Sequence, residues 1–256
     1  MTDTHTHLYL PEFDADREDV ILRAIEAGID KMVMPNVDIE TAELLQAIRH
    51  DYPEHIFTAW GLHPTSVDSS WRENTTRLLQ HLDEPGCVAV GEIGLDLYWD
   101  TTYRDQQMEC LAMQLSEAAT RGLPAIIHCR NGLDETLDVI SQLHKPLPKM
   151  VFHSFTGSPE DAARILSAVP EVFFGINGVV TFKNARDLHA AIPAIGIDRI
   201  VLETDSPYLA PVPHRGKRNE SAYITNVCSK VSELLGITTE ETERITDLNA
   251  RKLFLL

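Results

Sequence analysis

The sequence predicts an α/β fold of the TIM (β/α)8 barrel type, with residues 1–256 forming a single domain. Strand-length apolar runs recur along the chain, and helix-patterned stretches separate them. The runs are near-continuous rather than alternating, as parallel strands buried on both faces require. A length of 256 residues also suits one such barrel.

In chain order, the first strand is the short opening segment that carries His5 and His7. It is followed by KMVMPN (31–36), IFTAWGLHP (56–64), CVAVGEIG (87–94), PAIIHC (124–129), KMVFHSF (149–155), VFFGIN (172–177) and RIVLETD (199–205), which completes eight. Helices are expected between them over 14–28, 39–51, 71–83, 104–121, 134–144, 159–168 and 184–194, with more helix from about 221 to 253. Ser158 can cap the helix that Pro159, Glu160 and Asp161 begin, and Gly28 and Gly122 fall where helices should end. Eight strands alternating with helices favour a barrel over an open doubly wound sheet. Neither G-x-G-x-x-G nor G-x-x-x-x-G-K-S/T occurs, so no nucleotide cofactor is expected.

A hydrophobic fraction of 43% and a charged fraction of 24% belong to an ordinary globular protein. The net charge of −17 opposes broad attachment to DNA, RNA or anionic membrane, so any polyanion must be gripped locally. There is no basic n-region ahead of an apolar h-region, and no apolar run nears the ~18 residues that span a bilayer; a cytoplasmic location is expected. Cys87, Cys110, Cys129 and Cys228 form no C-x-x-C pair and read as reduced, mostly buried thiols.

Barrel chemistry sits where strands end, at the C-terminal face. Those ends are polar here: His5 and His7 on the first strand, His63 after the third, Glu92 after the fourth, His128 on the fifth, His153 on the sixth and Asp205 on the eighth. Any one of them alone is an ordinary hydrogen-bonded residue. Converging on one rim they need partners, because an unsatisfied buried polar group costs about 1–3 kcal/mol. Metal supplies that partner, and the set exceeds the needs of one ion. Two divalent ions ~3.5–4 Å apart fit, with His5, His7, Glu92 and Asp205 holding the first and Glu92, His128 and His153 the second. Glu92 is the shared carboxylate.

THTH, GLHP, VGEIGLD, IHCR, FHSFTGS, ETDSPYL and PVPHRGKRNE stand in the order and spacing of the TatD family of metal-dependent deoxyribonucleases, which the chain resembles nearly end to end. The resemblance implies a TIM barrel of the amidohydrolase superfamily with a dinuclear site. It also implies phosphodiesterase action on nucleic acid, typically as a 3′→5′ exonuclease. Fewer apolar residues precede Asp3-Thr4-His5 than is usual in the family, so the first strand is expected to pair weakly. His214 occupies a loop position that the family fills variably.

Water shared by two metal ions ionises near neutral pH and can attack phosphorus in line. Asp205 is the residue expected to orient that nucleophile and accept its proton, so the catalytic set is Asp205, Glu92 and His63. Loops after the last strands of this fold often bind phosphate, which makes Arg215, Lys217 and Arg218 candidate phosphate contacts, with His63 and Arg130 beside them. Imidazole favours zinc or manganese over magnesium, whereas the family is generally described as magnesium-supported. The expected substrate is a strand end of DNA, with RNA as the second option, bound by a monomer. The alternatives are an aminoacyl-tRNA deacylase of the same superfamily, a trinuclear polymerase-and-histidinol-phosphatase-type phosphoesterase, and a non-catalytic metal-holding binder.

Overall fold

A computed structural model describes residues 1–144 and 146–256. The seven apolar runs form strands and the opening segment supplies an eighth: β1 (Thr2–Asp3), β2 (Lys31–Pro35), β3 (Ile56–Trp60), β4 (Cys87–Asp96), β5 (Ala125–Arg130), β6 (Met150–Phe152), β7 (Val172–Ile176) and β8 (Ile200–Leu202). Each pairs in parallel with its sequence neighbour, in the order β1 to β8. The last edge meets the first just beyond β1. There the Thr4 N–H donates to the Leu202 carbonyl at 3.1 Å, the His7 N–H donates to the Ser206 carbonyl at 2.8 Å, and Thr6 bridges Ser206 in parallel.

Side chains along each strand alternate between two cores. Val33, Ile126, Val151, Phe173 and Val201 share an inner cluster, which Leu253 and Phe254 from the C-terminal helix join. Their neighbours, such as Met32, Met34, Met150, Phe152, Ile200 and Leu202, belong to the outer cluster packed against the helices. Two residues beyond Ile126, Val151 and Val201 on the same face come His128, His153 and Glu203. The strand period therefore turns an apolar floor into a polar layer above it.

The helices are α1 (Arg17–Glu26), α2 (Ala42–Asp51), α3 (Trp71–Leu78), α4 (Arg104–Arg121), α5 (Leu133–Gln142), α6 (Pro159–Ala168), α7 (Arg186–Ile195), α8 (Ile224–Leu235) and α9 (Thr239–Phe254). Ser158 caps α6 in a reciprocal box with Asp161, and Gly122 closes α4 in the left-handed conformation. Several expected boundaries are corrected. The stretch 14–28 shortens to α1, with a 3-10 turn at Pro11–Phe13 ahead of it, 71–83 ends in a 3-10 turn at Leu79–Asp83, and 221–253 divides at Gly236. Strand ends shift as well: His5 and His7 lie beyond β1, and Glu92 lies inside β4, because Ile93 and Leu95 continue its buried run.

Candidate metal centre

His5 and His7 project from the seam where the barrel closes. Extended backbone puts residues two apart on one side, and their Nε2 atoms stand 3.0 Å from each other. The seam also fixes Asp205, whose N–H donates to the His5 carbonyl at 2.9 Å in a left-handed conformation with φ of 56°. Behind them Asp3 is fully buried and receives the N–H of Thr204 at 3.0 Å and its hydroxyl at 2.7 Å. Burial pushes the Asp3 carboxyl up to about 6, against the pull of those hydrogen bonds.

Glu92 stands between two sets of imidazoles. Its Oε2 is 3.1 Å from His5 Nε2 and 3.7 Å from His7 Nε2. Its Oε1 is 2.7 Å from His153 Nε2, 2.8 Å from His128 Nδ1 and 3.3 Å from His63 Nε2. Asp205 Oδ1 completes the first set at 3.5 Å from His7 and 3.9 Å from His5. Burial opposes charge on Glu92, but His153, His63 and His5 outweigh it and hold the carboxyl well below its usual range. His153 and His5 stack with ring centroids 3.9 Å apart. Gly94 lets β4 come this close to β5: a Cβ there would meet the His128 carbonyl oxygen at 1.8 Å.

Four residues that sequence reading missed hold these groups. Asp96 Oδ2 lies 3.0 Å from His128 Nε2. Tyr9 places its hydroxyl 2.7 Å from His7 Nδ1. Glu203, buried beneath the cluster, has Oε1 3.7 Å from His153 Nδ1, and its pKa is raised by burial and by Asp205. The room for it comes from Gly175, where a Cβ would meet Glu203 Oε2 at 2.1 Å. Asp3 is the fourth. Asp96 and Glu203 carried a signal in the sequence: Asp96 stands four positions from Glu92 within β4, and Glu203 two positions beyond the inward-facing Val201.

His63 differs from the other imidazoles. Its Nδ1 accepts the N–H of Thr65 at 3.2 Å, so in the neutral ring the proton sits on Nε2, aimed at Glu92. Burial lowers its pKa and keeps it neutral. His63 is thereby a hydrogen-bond donor beside the cluster.

The cluster floors a cavity of about 530 Å3 whose walls include Leu10, Trp99, Arg130, Tyr208 and Leu209. Of the expected basic contacts, Arg130 lines this cavity and Arg215, Lys217 and Arg218 do not. Arg218 is engaged within the fold: both arms of its guanidinium donate to Asp16 at 2.7 Å and one also to the Glu12 carbonyl, tying the loop to the start of α1. Arg215 lies over Phe182, and Lys217 is exposed. His214 stacks on Tyr223 at 3.7 Å.

The sequence profile of the TatD-related DNases matches residues 2–255. The chain belongs to this family. It is 34% identical, over 98% of both chains, to the metal-dependent hydrolase YabD of Bacillus subtilis. It is also 34% identical to the 3′-5′ ssDNA/RNA exonuclease TatD of Erwinia billingiae, covering 100% of this chain and 99% of that one. Among solved structures it resembles the TatD homologue YjjV of Escherichia coli K12, with 29% identity, a TM-score of 0.89 and coverage of 100% and 98%. Like the profile match, these likenesses run end to end, so the barrel and its polar rim are compared as a whole.

Proposed function

We propose that this TatD-family member is a metal-dependent phosphodiesterase that removes nucleotides from the 3′ end of single-stranded nucleic acid. The observation that carries the reading is Glu92, with one carboxylate oxygen turned to His5 and His7 and the other to His128 and His153. The residues fit a pair of divalent cations. The ligand atoms of His5, His7 and Glu92 lie within 4.8 Å of one another, as do those of His5, His153 and Asp205. Nitrogen faces nitrogen at 3.0 Å in one set and 3.2 Å in the other, so the imidazole donors of each set converge closely enough to share one cation. We assign His5, His7, Glu92 and Asp205 to the first set and Glu92, His128 and His153 to the second, which His63 borders, its ligand atom lying within 4.8 Å of those of Glu92 and His128. Bound there, two cations supply Lewis acidity toward water and counter-charge toward a phosphoryl oxygen. Imidazole-rich sets of this kind suit zinc or manganese, with magnesium the oxygen-preferring alternative.

The protein's own groups divide the remaining work. Asp205 reaches His5 and His7 through Oδ1, which leaves Oδ2 to take a proton from the attacking water. Burial works against its charge, but His7, His153 and His5 keep it ionised and ready to accept. His63 offers its Nε2–H to a phosphate oxygen. Arg130, on the cavity wall, supplies positive charge where the net charge of −17 gives no general attraction. Arg215 and Lys217 are left for phosphates farther along the strand. No helix among the described residues is long and apolar enough to cross a membrane, and four thiols without disulfides suit a reducing cytoplasm.

The test is a time course on end-labelled single- and double-stranded DNA and RNA with zinc, manganese or magnesium added singly. Stepwise shortening from the 3′ end, faster on single strands, is the expected result. Deacylation of aminoacyl-tRNA without strand shortening would assign the site to carboxyl esters instead.

A further inference from the structure

We infer that Trp99 and Tyr208 form stacking faces for unpaired bases, with Arg130 beside Trp99 as a phosphate contact, so that the cavity selects strands whose bases are free. This rests on the nuclease reading above and adds the feature that reads single-strandedness. Trp99 is 69% exposed and Tyr208 is 50% exposed, yet both line the cavity whose floor is the Glu92 cluster. Both rings thus present much of their faces to water at the cavity mouth. Trp99 follows β4 and Tyr208 follows β8, strands four apart in an eight-stranded barrel, so the loops carrying them stand across the mouth from each other.

The Trp99 side is built rather than loose. The backbone N–H groups of Tyr98 and Trp99 donate to Asp96 Oδ1 at 3.0 and 3.3 Å, while the other oxygen of Asp96 meets His128. One buried carboxylate therefore fixes both the aromatic rim and an imidazole of the cluster. The Tyr98 and Trp99 rings meet edge to face with centroids 4.9 Å apart, and the Arg130 guanidinium lies over both, at 4.1 and 5.1 Å. No carboxylate pairs with Arg130 among the described residues, so its charge is available to an anion at the mouth. A planar guanidinium lying against exposed aromatic rings suits alternating phosphate and base, the repeat of a single strand. In a duplex the faces of internal bases are already stacked and cannot be taken up.

Fluorescence and kinetics test this together. Trp60 is 0% exposed and Trp71 is 4% exposed, so a strand entering the cavity reports through Trp99. Titration of the parent protein with oligothymidylate should quench tryptophan emission, and a matched abasic oligonucleotide should quench it far less. In Trp99→Ala the quench should vanish. The preference in kcat/KM for the base-bearing over the abasic strand should fall by about five- to a hundredfold, the range of one lost base stack. Trp99→Phe should retain most of that preference. Tyr208→Ala should reduce the preference without removing the quench. An unchanged preference in Trp99→Ala and Tyr208→Ala, on a parent that does shorten strands, overturns the stacking assignment and leaves the nuclease reading intact. A parent that shortens no strand but still shows the base-dependent quench overturns the nuclease reading and leaves the stacking assignment standing.

Discussion

The Tyr9 hydroxyl donates to the Pro35 carbonyl at 2.6 Å and stands 2.7 Å from His7 Nδ1. Its one proton is committed to Pro35, so Tyr9 can only accept from His7, and the hydrogen of the imidazole is held on Nδ1. The Nε2 lone pair of the neutral ring then faces Glu92 and Asp205. Tyr9→Phe removes the acceptor and frees the tautomer. Loss of such outer partners typically weakens metal affinity by 10- to 100-fold. Chelator competition should show a loss of about that size in the first set. Affinity equal to the parent's would mean that the tautomer is fixed by something else.

Asp96 does for His128 what Tyr9 does for His7, and it also anchors the aromatic rim. Asp96→Ala should therefore weaken metal binding in the second set by roughly 10- to 100-fold and loosen Trp99 as well, seen as altered tryptophan anisotropy in the metal-free protein. A change in metal affinity with Trp99 unmoved would separate the two roles.

Arg218 and Arg130 should respond to alanine in opposite ways. Arg218 and Asp16 are each about 30% exposed on the side chain and joined by a two-armed contact, so Arg218→Ala should lower stability by about 1 kcal/mol. For a chain of this size that is roughly 2–4 °C in the thermal midpoint. Arg130→Ala removes a charge-assisted phosphate contact worth ~1.5–3 kcal/mol and should lower kcat/KM on oligonucleotides about tenfold or more. Calorimetry and oligonucleotide kinetics on both variants decide the matter; a tenfold kinetic loss in Arg218→Ala would restore the loop as a phosphate grip.

Burial pushes the Cys87 thiol up to about 12 and those of Cys110, Cys129 and Cys228 up to about 11. The nucleophile is the thiolate, so the raised values leave all four thiols protonated near neutrality and slow to react. Iodoacetamide at pH 8 should label the native protein far more slowly than the urea-unfolded chain. Fast labelling of any one thiol in the native state would contradict its burial.

Seven of the eight strands were legible because parallel barrel strands need continuous apolar runs, such as RIVLETD and KMVFHSF. The residues of the polar cluster stood out in the sequence because His128, His153 and Asp205 interrupt or follow such runs and Glu92 interrupts one from within. What escaped were the partners one layer out. Asp96 and Glu203 each carried a spacing clue, but Tyr9 reads as one more apolar residue in LYL until the fold brings Pro35 beside it. Arg218 shows the converse. A cationic loop next to Asp205 in sequence reads as a phosphate grip, and only the fold shows that Arg218 of that loop also pairs with Asp16. The first strand was expected to be weak and is two residues long; the rigidity of His5 and His7 comes instead from the seam with Thr204–Ser206, a contact nearly 200 positions away in the sequence.

The sharing of Glu92 between two ligand sets is tested most directly by elemental analysis after reconstitution with zinc or manganese, comparing the parent with Glu92→Gln. Both oxygens of this one carboxylate face imidazoles, so the parent should retain two ions per chain and Glu92→Gln should lose affinity in both sets together. One ion per chain in the parent, or two ions held undiminished by Glu92→Gln, would contradict the shared centre.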